Sequence, residues 1–378
     1  MKIFICPALM DWLIFLILFA VLYAAGERHC SMMECAWIGG VFQIVYMVAS
    51  FLLGLTVNRR NARAFLMISV MASAVFASLC LWVTDFKWVL LTMALFGMFA
   101  AMFFNSFQTF MGGESPPGGL TRTVGLYTLA WSLGASFGLI SSGALYTGGM
   151  GVLTGVTVLV CSVMFVILKR HQASPGSIAA ADAIEESADD MRKVNPAYVW
   201  VGWTMIFTAM LVQRPVHTFF PSLSAVAGVS SFVAGLLLFM NMAMQGLIGA
   251  AMIRFRPWLY RRTPILGVNV LAILVLLGLW KWPATWMTAI GFCLFGVYLG
   301  ASYFSAVFYS LNSLRRAFNV GVNEFLVGLG SFMGIFIIEW IMKQVGDPQS
   351  MYLGCAGILA LSTLVQMALP SCHPARER

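Results

Sequence analysis

Apolar runs of about 20 residues, each long enough to cross a bilayer as a helix, recur from one end of the chain to the other. Twelve stand out, near 4–25, 36–57, 65–83, 88–111, 123–145, 150–168, 198–220, 231–253, 265–280, 285–312, 319–341 and 351–369. No other feature restricts the fold as much. A bilayer offers the backbone no water, so each run must satisfy its own N–H and C=O groups, and an α-helix does this within one segment. The expected fold is all-α and integral to the membrane, with twelve transmembrane helices. Composition agrees, since 61% of residues are hydrophobic and only 10% are charged. The first run follows Lys2 as a signal-peptide core would. It is long for such a core and more spans follow, so it is expected to remain as the first helix.

Basic residues then fix an orientation. With these spans, Lys2, Arg59, Arg60, Arg63, Arg122, Lys169, Arg170, Arg192, Lys193, Arg254, Arg256, Arg261, Arg262, Arg315, Arg316, Arg376 and Arg378 fall on one side. Arg28, Lys87, Lys281 and Lys343 fall on the other, and Arg214 lies inside a span. The positive-inside rule puts the basic side, with both termini, in the cytoplasm. The net charge of +8 therefore reports topology and not a nucleic-acid partner. The expected location is a bacterial-type inner (plasma) membrane, and the compact loops suit a prokaryotic chain.

The longest polar stretch, "KRHQASPGSIAAADAIEESADDMRKVNP" (169–196), parts the spans six and six. The expected organisation is an N-terminal bundle over 1–168, a cytoplasmic linker over 169–197 and a C-terminal bundle over 198–378 with a short tail. Glu185, Glu186, Asp189 and Asp190 read as a solvated face of that linker. Cysteines number eight and form no CxxC. Cys30 and Cys35 share the first external loop, either paired or as two free thiols. The four histidines are spaced unlike metal ligands, and no nucleophile constellation is present. Neither a metal, a cofactor nor an enzyme activity is expected.

One line of the sequence is written twice. "VGLYTLAWSLGASFG" (124–138) returns as "VGVNEFLVGLGSFMG" (320–334), an offset of 320 − 124 = 196. Gly134 and Gly138 thereby match Gly330 and Gly334. Gly54 and Arg59 after the second span are echoed by Gly249 and Arg254 after the eighth, at 249 − 54 = 195. Two echoes at nearly one offset imply duplication of a six-helix unit, so the twelve helices form two pseudo-repeats. Parallel repeats of this kind rock around a midplane site.

These residues resemble those of the major facilitator superfamily. The family's loop between helices two and three runs roughly G-x-L-a-D-R-x-G-R-R. Here Gly54, Arg59 and Arg63 match, while Asn58 replaces the acid and Asn61 a glycine. The resemblance implies a latch on the outward-facing state, weakened by the neutral Asn58. The fifth span resembles the proton-antiporter signature of the family through Gly125, Gly134, Gly138 and Gly143, with Leu139 where proline is usual. Small residues every four positions (Ala130, Gly134, Gly138, Ser142) equally make a plain packing ridge. The echo of Gly143 in the eleventh span is Glu339, since 143 + 196 = 339.

The resemblance also implies that spans one, four, seven and ten line a central cavity. Ionisable groups inside spans are costly and point to function. Asp11 in the first span is either a cavity carboxylate for a cation or proton, or an acid reaching the interface. Arg214 precedes Pro215, which removes a backbone donor and bends the helix. It either holds an anionic or polyhydroxylated substrate or pairs with Glu339 or Glu27. Glu324 either takes a proton in a coupling cycle or favours its helix N-terminus through the dipole. Further substrate candidates are Asn105 and Gln108, Asn241 and Gln245, and Tyr303, Tyr309 and Asn312, with Trp131 as an aromatic wall. Polar amides of this kind also serve as glue between helices.

The expected activity is secondary transport of a small organic solute by alternating access, by a monomer. Protons are the expected coupling ion through Asp11, Glu324 and Glu339, with a lean to export. Uptake of a sugar or organic anion, and a non-transporting receptor or assembly subunit, are the alternatives. An integral-membrane lipid enzyme would need convergent catalytic residues, which the sparse histidines do not supply.

Overall fold

The computed structural model describes residues 5–58, 61–112, 120–171, 197–252, 254, 261–311 and 316–368. The linker acids, Arg59 and Asn312 lie outside them, as does the side chain of Gln108. Each expected span is one helix: α1 (Ile5–Glu27), α2 (Met32–Thr56), α3 (Ala62–Trp82), α4 (Phe86–Gly112), α5 (Leu120–Leu145), α6 (Met150–Arg170), α7 (Ala197–Val226), α8 (Ser231–Ala251), α9 (Arg262–Lys281), α10 (Thr285–Leu311), α11 (Arg316–Val345) and α12 (Ser350–Ala368). No strand occurs among the described residues. Among the described residues, eleven helices are long and apolar enough to cross a membrane. The exception is α7, whose middle carries Gln213, Arg214, Pro215 and His217.

Local chemistry sets the helix limits. α2 begins before its apolar run because Ser31 and Glu34 form a capping box. The Ser31 N–H donates to the Glu34 carboxylate at 2.8 Å, and the Glu34 N–H to the Ser31 hydroxyl at 3.2 Å, which satisfies two orphan donors. α7 runs through Pro215 and Pro221. Pro215 leaves the Leu211 carbonyl without its helical donor.

The duplication shows in backbone contacts. A Cβ on Gly134 or Gly138 of α5 would run into the carbonyls of Ala8 or Trp12 on α1. A Cβ on Gly330 or Gly334 of α11 would meet those of Phe207 or Leu211 on α7. Gly97 of α4 sits on the Phe42 carbonyl as Gly296 of α10 sits on that of Asn241. In lipid, helices associate through such close packing and not through apolar burial. The positions receiving α5 and α11 are offset by 207 − 8 = 199, as are the α4 and α10 glycines by 296 − 97 = 199. Helices α1–α4 therefore align with α7–α10 at 199, and only α5 and α11 keep the register of 196 visible in the sequence.

Arg63 and Arg262 repeat as well. Arg63 donates to the Lys169 and Leu168 carbonyls at the end of α6, and Arg262 to the Met367 and Gln366 carbonyls at the end of α12. Both cations meet the negative end of a helix dipole. The two six-helix sets meet along α5 and α8, α2 and α11, and α1 and α7. One end of the bundle carries the start of α1 and the end of α12. At the opposite end the sets are tied together: the Tyr23 hydroxyl donates to the Val229 carbonyl at 2.8 Å and the Ser231 hydroxyl to that of Gly143 at 2.9 Å. Exposed Trp82, Trp88, Trp282, Trp286 and Trp340 ring this sealed end, as indoles do at a membrane interface.

Candidate functional site

Side chains from both six-helix sets converge between the sealed end and the terminal end. Glycine packing draws α5 against α1 and α11 against α7, which brings the inner faces of α1 and α7 together. The Arg214 guanidinium then lies over the Phe15 ring, 5.3 Å from its centre, within cation–π range. It also reaches the Tyr303 hydroxyl on α10. Its buried Nε has no hydrogen-bond partner. Asp11 on α1 is 9% exposed and stands within electrostatic reach of both Arg214 and Glu324. Tyr46 of α2 donates to the Glu324 carboxylate across the interface between the sets, at a long 3.5 Å. Trp131 of α5 packs on Tyr303 with ring centres 4.8 Å apart.

Among the described residues, Asp11 stands within electrostatic reach of one guanidinium, that of Arg214, and of one other carboxyl, that of Glu324. Burying ionised groups is costly unless they are paired.

A second polar layer ties α7, α8 and α10 together. Gln213 donates to the Gln245 side chain at 2.8 Å, His217 Nε2 meets the Asn241 side-chain oxygen at 3.1 Å, and the Asn241 amide donates to the Phe292 carbonyl at 3.0 Å. Asn241 and Gln245 thus serve contacts inside one six-helix set. Asn105 donates to the Ala101 carbonyl of its own helix at 2.9 Å. Tyr309 is buried beside Tyr198 near the terminal end of α10. On the sealed side of Arg214 a small cavity of about 10 Å³ is lined by Phe15, Gln43, Arg214, His217 and Thr218, among others. That is room for about one water. His217 is 7% exposed and its Nδ1 has no partner.

Glu27 accepts from the Tyr146 hydroxyl at 2.6 Å at the sealed end. Glu339 is buried in the last two turns of α11. Gly54 has no atom within 4 Å of a would-be Cβ, whereas Gly249 abuts Thr128. Asn58 and Asn61 exchange side-chain-to-backbone hydrogen bonds at 2.8 and 3.2 Å and shape the loop between α2 and α3. Arg254 follows α8 in an exposed turn, and the surroundings of Gly125 lie outside the described residues. Cys30 and Cys35 are both free thiols. Among the described residues no group of three or more His, Cys, Asp or Glu could hold a metal.

The sequence reading passed over Phe15, Gln43, Tyr46, Gln213 and His217. Gln43 and Tyr46 are three apart in an otherwise apolar helix and share a face, a signal that was available. Phe15 gave none.

The family model of the Major Facilitator Superfamily matches residues 3–314. The fold is similar to that of a D-xylose-proton symporter, with a TM-score of 0.73 and 12% identity over 97% of each chain. It is similar to the nucleoside transporter NupG, with a TM-score of 0.65 and 12% identity over 97% of this chain and 99% of that one. It is also similar to a bacterial homolog of the human lysosomal transporter Spinster in an inward-facing, occupied conformation. The TM-score there is 0.64, with 17% identity over 97% of this chain and 93% of the other. No curated protein matches the chain in sequence.

Proposed function

Because the chain belongs to the Major Facilitator Superfamily, we propose that it couples movement of a small organic solute to protons through Asp11, Arg214 and Glu324. The coarse statement is firm: this is a multi-pass membrane transporter and not an enzyme. The observation that carries the finer reading is that, among the described residues, the carboxyls of Asp11 and Glu324 lie near the half-buried Arg214 at the interface of the two six-helix sets. Loading and release change the charge of that cluster, and alternating access exposes it to each side in turn. A solved relative in fold is described as a D-xylose-proton symporter, which supports protons as the driving ion.

The bundles over 1–168 and 198–378 act as the two rocking units, joined by the linker over 169–197, in a monomer. The positive-inside rule places the end bearing Arg63, Lys169, Arg170, Arg254, Arg261 and Arg262 in the cytoplasm, with both termini. The membrane is the plasma (inner) membrane, and the sealed end faces outward. Gly134 and Gly138 seat α5 on α1, so the ridge supports the fold and does not by itself argue for export. Direction follows from the charge of the solute: an anion enters with protons and a cation exchanges for them.

The test is flux into proteoliposomes under an imposed pH gradient, using labelled sugars, organic acids, amino acids and lipophilic cations. Concentrative movement of one class, lost in Asp11→Asn and Glu324→Gln, supports the reading. Flux indifferent to the gradient, or none in any class, sinks it.

A further inference from the structure

We infer that the lipid-facing side of α9 and α10 is a seat for one anionic phospholipid. Its phosphate rests on Arg261, and one acyl chain fills the groove that runs from there toward the bilayer centre. This site lies apart from Asp11, Arg214 and Glu324 and is independent of any role they play in coupling.

The groove follows one face of α9. Thr263, Gly267, Val268 and Leu271 line it, Val297 of α10 closes its far end, and Arg261 stands at its mouth. Residues four apart on a helix lie one above the other, so 263, 267 and 271 form its floor. Gly267 keeps that floor open, since a Cβ there would meet nothing within 4 Å. The open volume is about 730 Å³. From Arg261 to Leu271 the helix rises about 15 Å, half of a hydrocarbon core of about 30 Å. α9 is long and apolar enough to cross the membrane, and Val270 and Leu274 beside the groove are exposed. At that depth the groove meets acyl chains and not water. It is cationic at one end and apolar along the rest, which is the complement of an anionic phospholipid.

Arg261 is available for the head group. It is exposed, and among the described residues it has no hydrogen-bond or ion-pair partner. Its neighbour Arg262 already donates to the carbonyls at the end of α12. Arg261 also holds the cap position of α9 without a side-chain capping bond, so the positive end of the helix dipole adds to its charge. A guanidinium forks onto a phosphate in two parallel hydrogen bonds, and the Thr263 hydroxyl gives a further donor.

The surrounding charge selects an anionic head over a zwitterionic one. The terminal end carries Arg63, Lys169, Arg170, Arg254, Arg261 and Arg262. The described carboxyls lie elsewhere: Glu27, Glu34, Asp85 and Asp347 at the sealed end, Asp11, Glu324 and Glu339 within the bundle. The ammonium of a zwitterionic lipid would therefore meet like charge and no described acid. Basic side chains near the membrane surface attract anionic lipids by about 1 kcal/mol each, which is about a fivefold preference.

The experiment titrates the full chain in detergent with dioleoyl phosphatidylglycerol, dioleoyl phosphatidylethanolamine and oleate, and counts bound lipid by native mass spectrometry. The expected result is one phosphatidylglycerol held about fivefold more tightly than phosphatidylethanolamine, with a raised melting temperature. Arg261→Gln brings phosphatidylglycerol down to the level of phosphatidylethanolamine. Gly267→Leu fills the groove and weakens both lipids severalfold. Both substitutions fall on exposed positions, so the fold tolerates them. Arg170→Gln, which removes the same charge from the other six-helix set, changes nothing. Phosphatidylglycerol with a photoreactive acyl chain labels α9 and α10 around Gly267 and Val297.

Equal binding of the two phospholipids overturns the anionic assignment. A preference that survives Arg261→Gln, or falls as far in Arg170→Gln, overturns the seat and leaves only a general basic surface. Oleate held as tightly as phosphatidylglycerol overturns the phospholipid as occupant. Full binding in Gly267→Leu, or labelling confined to other helices, overturns the groove.

Discussion

α1 and α7 occupy equivalent places in the two six-helix sets and carry different chemistry. Each presents backbone carbonyls to two glycines of its partner, Ala8 and Trp12 to α5, Phe207 and Leu211 to α11. At the structural register, 214 − 15 = 199, Arg214 is the counterpart of Phe15, and the two face each other across the pseudo-symmetry axis. Asp11 corresponds to Met210, Ile14 to Gln213 and Leu18 to His217. The lesson concerns which atoms a duplication holds fixed. A glycine against a carbonyl has no side chain to vary, so those contacts repeat. Side chains aimed into the shared interior meet only each other, and they have diverged into one asymmetric polar site inside a symmetric frame.

The strongest way to break this comparison is to fill the glycine contacts. Gly134→Val and Gly330→Val each force a side chain into a neighbouring backbone, an overpacking cost of about 1–3 kcal/mol or more. Both are expected to lose most folded protein in fluorescence-detected gel filtration, to similar extents. Gly54→Val, with open space around it, leaves the yield unchanged. A large drop for only one glycine would mean that the frame is not symmetric.

Next comes the facing pair. Phe15→Ala removes the ring beneath Arg214 and should weaken solute binding by about 0.5–2 kcal/mol, read as a higher Kd; the ring is 3% exposed, so its loss also lowers the melting temperature, as large-to-small core changes do. Smaller effects separate glue from site. Asn241→Ala and Gln245→Ala cut interhelical hydrogen bonds inside one set, worth about 0.6 kcal/mol each and at most about 1.7. They should lower the melting temperature and leave Kd within twofold. The smallest pair is Arg63→Gln and Arg262→Gln, each expected to cost about 0.3–1 kcal/mol of helix-end stabilisation. Equal shifts in thermal unfolding would extend the symmetry to the helix ends.

The fold was legible because its cause is local. Twelve apolar runs became twelve helices, and even α7 was found despite its polar centre. Boundaries slipped where chemistry other than hydropathy decides them. The Ser31–Glu34 capping box starts α2 ahead of its apolar run, and Pro221 falls inside α7 instead of ending it. The echo at 196 was real for α5 and α11 and misled for the other helices, because the register of 199 is carried largely by residues of unlike identity, such as Ala8 and Phe207 or Phe42 and Asn241, with Gly97 and Gly296 or Arg63 and Arg262 as isolated matches. Asp11, Arg214 and Glu324 were legible one at a time, as ionisable groups in spans. Their convergence was not, since it depends on how close glycines let α5 and α11 approach. Asn241 and Gln245 show the opposite limit: their type fits a binding site, while their direction is set by Gln213 and His217 on a neighbouring helix.

The central claim is that the frame is shared and the chemistry is not, and proton-driven flux in three variants measured side by side tests it most directly. Glu324 on α11 has Thr128 as its counterpart on α5, since 324 − 196 = 128. Thr128 is buried with no hydrogen-bond partner for its hydroxyl. In proteoliposomes holding equal amounts of folded protein, Asp11→Asn and Glu324→Gln should abolish gradient-driven flux while Thr128→Val keeps it. Full flux in Glu324→Gln, or equal loss in Thr128→Val, would contradict the account.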